Sequence, residues 1–123
     1  MTPDELKQRT RQFALRVIRL AESLPKSRTG DIIAKQLLRS GCSVGANYRS
    51  ACCSRSQADF ISRMGVVEEE ADETAYWIEL LMEANLVKRT AVEGLLKEAR
   101  TLAAIAVASI KTARGGTRGK TKA

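Results

Sequence analysis

Residues 36–60 read QLLRSGCSVGANYRSACCSRSQADF, and this stretch carries two ordered stripes on one predicted helix. Apolar and small residues recur at steps of three and four, which is the period of an α-helix with one face against a core. These positions are Leu37, Gly41, Val44, Tyr48 and Ala51. A second, polar line keeps similar steps and consists of Gln36, Ser40, Ser43 and Asn47. A helix with two ordered faces is expected to pack against more than one neighbour.

Two glycines, Gly41 and Gly45, lie in the middle of this predicted helix. Each costs about 1 kcal/mol of helix propensity relative to alanine. A neighbouring helix that approaches closely at this point would offset the cost. The sequence therefore predicts close packing against Gly41.

Helix starts are marked by a hydroxyl residue followed three positions later by a carboxylate. Thr2 and Glu5 follow this rule, with Pro3 at the first helical position, and so do the pairs Ser56–Asp59 and Thr90–Glu93. A fourth start is expected near Thr29–Asp31, after the break that begins at Pro25. The predicted helices span about 3–24, 31–52, 57–84 and 91–112.

The connections between these helices are short, which favours antiparallel neighbours. No alternating strand pattern competes with them. We therefore predict an all-α fold, an up-down-up-down four-helix bundle over residues 1–112. Residues 113–123 read ARGGTRGKTKA and are expected to form a basic, disordered tail.

Composition restricts the class of protein. A chain of 123 residues suits one domain, and its three cysteines with no histidine indicate neither a disulfide framework nor a zinc site. The N-terminus has no apolar signal core, and the longest apolar run is too short for a bilayer. A cytoplasmic protein without a membrane partner is expected.

An acidic run on the third predicted helix is the first candidate for chemistry: Glu68, Glu69, Glu70, Asp72 and Glu73. Metal sites in helical bundles combine carboxylates with histidine from several helices, and this chain has no histidine. No catalytic residue, metal or cofactor is predicted, and the protein is not expected to be an enzyme.

The two sides of the third predicted helix have different expected roles. Glu70, Glu73 and Trp77 flank its core stripe, and a hydrogen-bonded seam with the second helix is expected there, with Arg39 or Arg49 balancing the carboxylates. Residues on the other side are expected to be solvated or paired at a surface. They are Glu69, Asp72, Tyr76 and Glu83.

Charge is unevenly distributed along the chain, which has a net charge of +7. Residues 1–63 carry 12 basic and 5 acidic groups, residues 64–98 carry 3 and 9, and residues 99–123 carry 6 and none. This asymmetry indicates a polyanionic partner, or an acidic third helix that pairs with basic neighbours inside an assembly. The predicted nucleic-acid contacts are Arg11, Arg19, Lys97, Arg100, Lys111, Arg114, Arg118, Lys120 and Lys122.

The stretch quoted above also resembles a bacterial family of small four-helix proteins, the 23S rRNA-intervening-sequence proteins. The family's second helix follows the pattern Q-L-x-R-S/A-x-x-S-[VI]-x-x-N, which this chain fulfils. The matching residues are Gln36, Leu37, Arg39, Ser40, Ser43, Val44 and Asn47, followed by Arg55, Asp59, Phe60 and Glu73. Two departures are Arg49, at a position usually acidic, and Glu69–Glu70, at positions usually small. Arg49 is expected to compensate Glu69 or Glu70.

The resemblance implies a homopentamer shaped like a tapered ring, with a basic surface suited to RNA or DNA. It also implies a relation to the accessory variability proteins of diversity-generating retroelements, which bind a reverse transcriptase and are not enzymes. Leu15, Ile18, Trp77 and Leu80 lie off the main apolar stripes. They are expected either to form a subunit interface or to widen the core.

Two functions remain open from the sequence. The first is a non-enzymatic, oligomeric protein that binds nucleic acid, with RNA favoured, through a cationic surface. The alternative is a scaffold that docks a partner protein such as a reverse transcriptase, with the positive charge steering the encounter.

Overall fold

The computed structural model describes the backbone of residues 1–122 and the side chains of residues 1–115. Four helices account for almost all of it, and residues 1–122 contain no strand. The predicted all-α fold with four helices is confirmed. The helices are α1 (Pro3–Ser23), α2 (Arg28–Cys52), α3 (Gln57–Glu83) and α4 (Arg89–Lys122).

The start of α1 is the predicted capping box. Thr2 Oγ1 accepts a hydrogen bond from the Glu5 amide at 3.1 Å, and the Glu5 carboxylate accepts from the Thr2 amide at 3.4 Å. Ser56 caps α3 in the same way, by accepting from the Asp59 amide at 3.0 Å. The Asp59 carboxylate does not return the bond; it pairs with Arg63 one turn later at 3.1 Å.

Two other predicted helix starts are displaced. Helix α2 begins at Arg28 because Ser27 accepts from the Gly30 amide at 3.0 Å and caps the helix three residues before the predicted start. Helix α4 begins at Arg89, so Thr90 lies inside its first turn and is not the cap.

The boundary predicted at residue 112 is also displaced, because α4 continues to Lys122 and the backbone of residues 113–122 is helical where a disordered tail was expected. The side-chain amide of Gln57, the first residue of α3, donates to the Ala113 carbonyl and ties this part of α4 to the bundle. The rest of the predicted tail, residues 116–123, lies outside the residues whose side chains are described.

The helices pack in the order of the chain. Helix α2 lies between α1 and α3, α3 lies between α2 and α4, and α1 and α4 meet over a much smaller area. This cyclic order is that of a four-helix bundle. Its core consists of aliphatic and alanine side chains together with Met64 and two aromatic residues, Phe13 and Tyr48.

Helices α1 and α2 approach each other closely at the two mid-helix glycines of α2, Gly41 and Gly45. A Cβ atom on Gly41 would lie 2.6 Å from Val17 Cγ1, and one on Gly45 would lie 3.1 Å from Thr10 Oγ1. The predicted close approach at Gly41 is confirmed, and α1 is the helix that makes it.

The turn after α3 is a Schellman motif. Asn85 adopts a left-handed conformation with φ 58°, and its amide donates to the Met82 carbonyl at 3.1 Å. The next amide, of Leu86, donates to the Leu81 carbonyl at 3.0 Å. These bonds satisfy the last carbonyls of α3 and fix the position of Leu86 beside α4.

Candidate nucleic-acid interface

Three cations converge on a groove between the outer faces of α1 and α2. Lys7 and Arg11 lie one turn apart on α1, and Arg49 faces them from α2. None of the three forms an ion pair with any residue whose side chain is described. We call this feature, of about 360 Å³, the cationic groove. Its other lining residues are Asp4, Gln8, Thr10, Ala14, Cys42, Gly45 and Ala46.

The floor of the cationic groove follows from the close approach of α1 and α2. Gly45 and Ala46 have little or no side chain, so the two helices leave a depression between the longer cationic residues. Cys42 also lines the floor, and its partial burial raises the pKa of its thiol. The thiol is therefore protonated at neutral pH and adds no negative charge to the groove.

Among the predicted nucleic-acid contacts whose side chains are described, only Arg11 lies in the cationic groove. Arg19 lies in a different groove, between α1 and α4. Arg100 forms an ion pair with Glu79 of α3, so part of its charge is already neutralised. Lys97, Lys111 and Arg114 are exposed on α4. The side chains of Arg118, Lys120 and Lys122 lie outside the described residues.

Sequence reasoning did not assign Lys7 or Arg49 to a nucleic-acid surface. The signal was present in the spacing, because Lys7 and Arg11 are four residues apart. On α2, Cys42, Gly45 and Arg49 follow one another at steps of three and four. What the sequence does not specify is which outer faces of α1 and α2 are adjacent.

The polar stripe of α2 faces α3, as predicted, and forms a hydrogen-bonded seam with it. Arg39 connects two carboxylates: it donates to Glu70 Oε2 at 3.1 Å and pairs with Glu73. Trp77 Nε1 donates to Glu73 Oε2 at 3.1 Å. Glu70 is the more buried of the two carboxylates, with 15% of its side chain exposed, and it also contacts the Ser43 hydroxyl. The seam explains why a buried carboxylate is tolerated here.

Ser40 and Thr74 extend the seam into the core, where both are fully buried. Their hydroxyl oxygens are 2.9 Å apart, and the Gln36 carbonyl accepts from Ser40 at 2.9 Å. Asn47, at the other end of the stripe, donates to the Ser43 carbonyl at 2.8 Å. Within the described part of the chain, the residues of this motif are therefore occupied by interhelical and intrahelical bonds.

Arg39 fulfils the balancing role predicted for Arg39 or Arg49. The more specific expectation that Arg49 compensates Glu69 or Glu70 is wrong. Arg49 lies on a different side of α2, where it lines the cationic groove, and Glu70 is already paired with Arg39. The reason is helical geometry: Arg39 and Arg49 are ten residues apart, which places Arg49 about 80° short of three full turns from Arg39 and therefore on a different side of the helix.

The small contact between α1 and α4 is reinforced by one ion pair. Arg9 donates through Nε and Nη2 to the two Glu98 oxygens at 2.7 and 2.8 Å. The hydrogen bond to Glu98 raises the pKa of the Arg9 guanidinium, against a lowering by burial. Such two-point geometry fixes the relative position of the two helices.

The apolar residues predicted to lie off the core stripes divide into two pairs. Leu15 and Ile18 of α1 are exposed, at 39% and 37%. Trp77 and Leu80 of α3 are half-buried, and the Trp77 ring meets Tyr76 edge-on, with centroids 5.1 Å apart. Leu15 and Ile18 therefore do not serve as a wider core within this chain.

The described residues contain no group of three or more His, Cys, Asp or Glu side chains placed to hold a metal ion. No helix formed by these residues is both long and apolar enough to cross a membrane.

Removal of Arg39 tests the seam. Arg39→Leu is expected to lower the free energy of unfolding by about 1–2 kcal/mol, because it leaves the Glu70 and Glu73 carboxylates without a cation; the half-exposed position of Arg39 limits the loss. Thermal denaturation followed by circular dichroism measures the change. The control is Arg100→Leu, which removes the more exposed interhelical pair with Glu79 and is expected to cost less than about 0.5 kcal/mol. Equal losses in the two variants would contradict a structural role for the seam.

Comparison with known proteins supports the resemblance seen in the sequence. A crystal structure at 1.70 Å of a protein with unknown function, from the S23 ribosomal protein family of Bacteroides thetaiotaomicron VPI-5482, superposes with a TM-score of 0.84. It is 34% identical, and the alignment covers 91% of this chain and 100% of that chain. A comparison with curated proteins gives no match. The family described as 23S rRNA-intervening sequence protein matches residues 4–108, almost the whole bundle, and the chain belongs to this family.

Proposed function

We propose that this protein is a non-enzymatic, cytoplasmic, nucleic-acid-binding protein that acts as a homo-oligomer and contacts phosphates through the cationic groove. The observation that carries the proposal is the convergence of Lys7, Arg11 and Arg49 on one depression without a paired carboxylate. A cation already paired with a carboxylate gains less from a phosphate than a free cation does. Asp4, at the edge of the same groove, reduces the local charge but leaves it positive.

RNA is the favoured nucleic acid for two reasons. The family description refers to an intervening sequence of 23S rRNA, and the solved relative is assigned to a ribosomal protein family.

The groove has no aromatic side chain among its lining residues, so stacking of bases does not contribute there. Phosphate contacts position a protein without reading sequence, and we therefore expect recognition of RNA shape rather than of bases.

Assembly is the second part of the proposal. Leu15 and Ile18 are exposed apolar residues on α1, adjacent to the face that carries Lys7 and Arg11. A ring-like homopentamer is the assembly that the family resemblance implies, and it would repeat the cationic groove once per subunit. The relation to retroelement accessory proteins remains a prediction, which the genes neighbouring this one would test.

Salt dependence is the direct test of the phosphate contacts. We expect the affinity for a structured RNA to fall steeply as salt rises from about 50 to 200 mM, by about 20- to 40-fold if the three cations each contact one phosphate. Fluorescence anisotropy of a labelled RNA hairpin measures the affinity, and light scattering of the same samples reports subunit number.

A flat salt response would contradict the phosphate contacts. Absence of binding to RNA and DNA at low salt would contradict the proposal as a whole. That outcome would leave the docking of a partner protein, such as a reverse transcriptase, as the function to test next.

A further inference from the structure

A second groove lies between α1 and α4, on the side of the bundle where these helices make few contacts. Its floor is aliphatic, with Leu20 on α1 and Leu86 and Val87 from the turn that precedes α4. The Schellman turn at Asn85 holds Leu86 in this position. The groove has a volume of about 430 Å³, and we call it the aliphatic groove.

The rim of the aliphatic groove is cationic. Arg16 and Arg19 lie on the α1 side and Lys88 lies on the α4 side, and no carboxylate is among the lining residues. These three cations form no ion pair within the described part of the chain. An aliphatic floor with a cationic rim suits an amphipathic helix that carries acidic residues.

The chain itself presents such a surface on α3. Glu69, Asp72 and Glu83 are exposed and, among residues with described side chains, have no cationic partner. Tyr76 lies between them with 51% of its surface exposed, and its ring is positioned by the edge-on contact with Trp77. We call these four residues the acidic ridge. From the sequence, these residues were expected to be solvated or paired at a surface, with no specific partner predicted.

We propose that the acidic ridge of one subunit packs into the aliphatic groove of a second copy of the chain. This inference rests on the assembly part of the proposed function and identifies the two surfaces that meet. Tyr76 would cover Leu20, Leu86 and Val87, while the flanking carboxylates would meet the cations of the rim. Each surface supplies what the other lacks, namely an apolar contact at the centre and opposite charge at the edges.

Nucleic acid is the less suitable occupant of the aliphatic groove. Its floor carries aliphatic rather than aromatic side chains, and bases are usually held by stacking on aromatic rings. Phosphates would use the cations of the rim but would leave the apolar floor exposed to water. In the acidic ridge, the tyrosine would cover that floor and the carboxylates beside it would pair with the cations of the rim.

The proposed contact joins two different surfaces, so it is heterologous. The groove opens between α1 and α4, whereas the ridge lies on α3, the helix across the bundle from α1. Repetition of a heterologous contact generates a ring if the rotation closes. The contact also leaves the cationic groove between α1 and α2 free, so that every subunit can still contact nucleic acid.

Charge reversal tests the proposal. One variant carries Arg19→Glu with Lys88→Glu in the groove, a second carries Glu69→Lys with Glu83→Lys on the ridge, and a third carries all four changes. Each two-site variant alone is expected to lose assembly, with subunit affinity reduced on the order of 100-fold or more, because it juxtaposes like charges. The mass from light scattering should then fall to the 13.5 kDa of one chain.

Rescue distinguishes this contact from general disruption. The four-site variant alone is expected to assemble like the wild type, because it restores opposite charges across every contact. An equimolar mixture of the two two-site variants is expected to associate to a mass above that of one chain, although two alternating variants do not close a ring of five. Circular dichroism shows whether each variant is folded. Loss of assembly without either rescue would overturn the proposal, and so would a two-site variant that keeps the wild-type mass.

Failure of this inference is separable from failure of the proposed function. If the wild-type protein and both two-site variants all assemble, only the location of the contact is overturned. A wild-type monomer at all concentrations would overturn both the contact and the proposed assembly. RNA affinity, measured on the same samples, would report on the cationic groove in either case.

Discussion

Gly41→Leu is expected to prevent stable folding or to lower the free energy of unfolding by several kcal/mol, and Gly41→Ala by about 1–3 kcal/mol. The first added carbon would lie 2.6 Å from Val17 Cγ1 and 2.8 Å from Cγ2, inside the contact distance of carbon atoms. Val17 is fully buried and β-branched, so it cannot move aside without displacing α1. Overpacking of a dense core typically costs about 1–3 kcal/mol.

Gly65 provides a matched control for this substitution. It also lies inside a helix, but an added Cβ atom would meet nothing within 4 Å. Gly65→Ala should therefore raise the free energy of unfolding by about 1 kcal/mol, the gain in helix propensity. Thermal melts should separate the two alanine variants by about 6–20 °C for a chain of this length. Equal effects of the two substitutions would show that α1 and α2 are not in close contact at Gly41.

The second large effect is expected from neutralising the cationic groove. Lys7→Gln, Arg11→Gln and Arg49→Gln together should lower the affinity for RNA on the order of 100-fold or more at about 50 mM salt. The slope of log affinity against log salt should become shallower by about 2–3, because each lost phosphate contact contributes about 0.7–0.9. Anisotropy titrations at several salt concentrations give both quantities.

The control for this variant must change the net charge equally. Lys26→Gln, Arg28→Gln and Lys35→Gln also reduce the net charge from +7 to +4, at exposed positions outside the cationic groove. This control is expected to lose little affinity and to keep most of the slope. If both triple variants weaken binding equally, net charge and not the groove determines the interaction.

The sequence predicted the helices well because their signals are local. Capping residues such as Thr2 and Ser56 act within one turn, and the apolar stripes repeat every three to four residues. The start of α2 was misplaced because Ser27, Thr29 and Asp31 are all good caps, and only the path of the chain selects Ser27. The seam between α2 and α3 was predictable because the polar residues of α2 recur at helical spacing beside its apolar stripe.

The candidate site was harder to predict from the sequence, because it depends on which outer faces of the helices become neighbours. Arg11 and Arg19 are both basic and both on α1, yet they line different grooves because eight residues rotate the helix by about 80° beyond two turns. Arg100 was predicted as a phosphate contact, but α3 places Glu79 beside it. Arg49 was predicted to pair with a carboxylate of α3 because its charge complements Glu70. Its position on α2 instead directs it toward α1.

The unequal contacts around the bundle have a consequence for its motions. Helix α1 packs closely along α2 at the glycines, but its contact with α4 is much smaller and includes the Arg9–Glu98 pair. A small outward swing of the α1–α2 hairpin would therefore widen the α1–α4 side while leaving the α3–α4 packing intact. We expect this motion to be the easiest opening of the fold, and slow amide exchange should persist longest in α2 and α3.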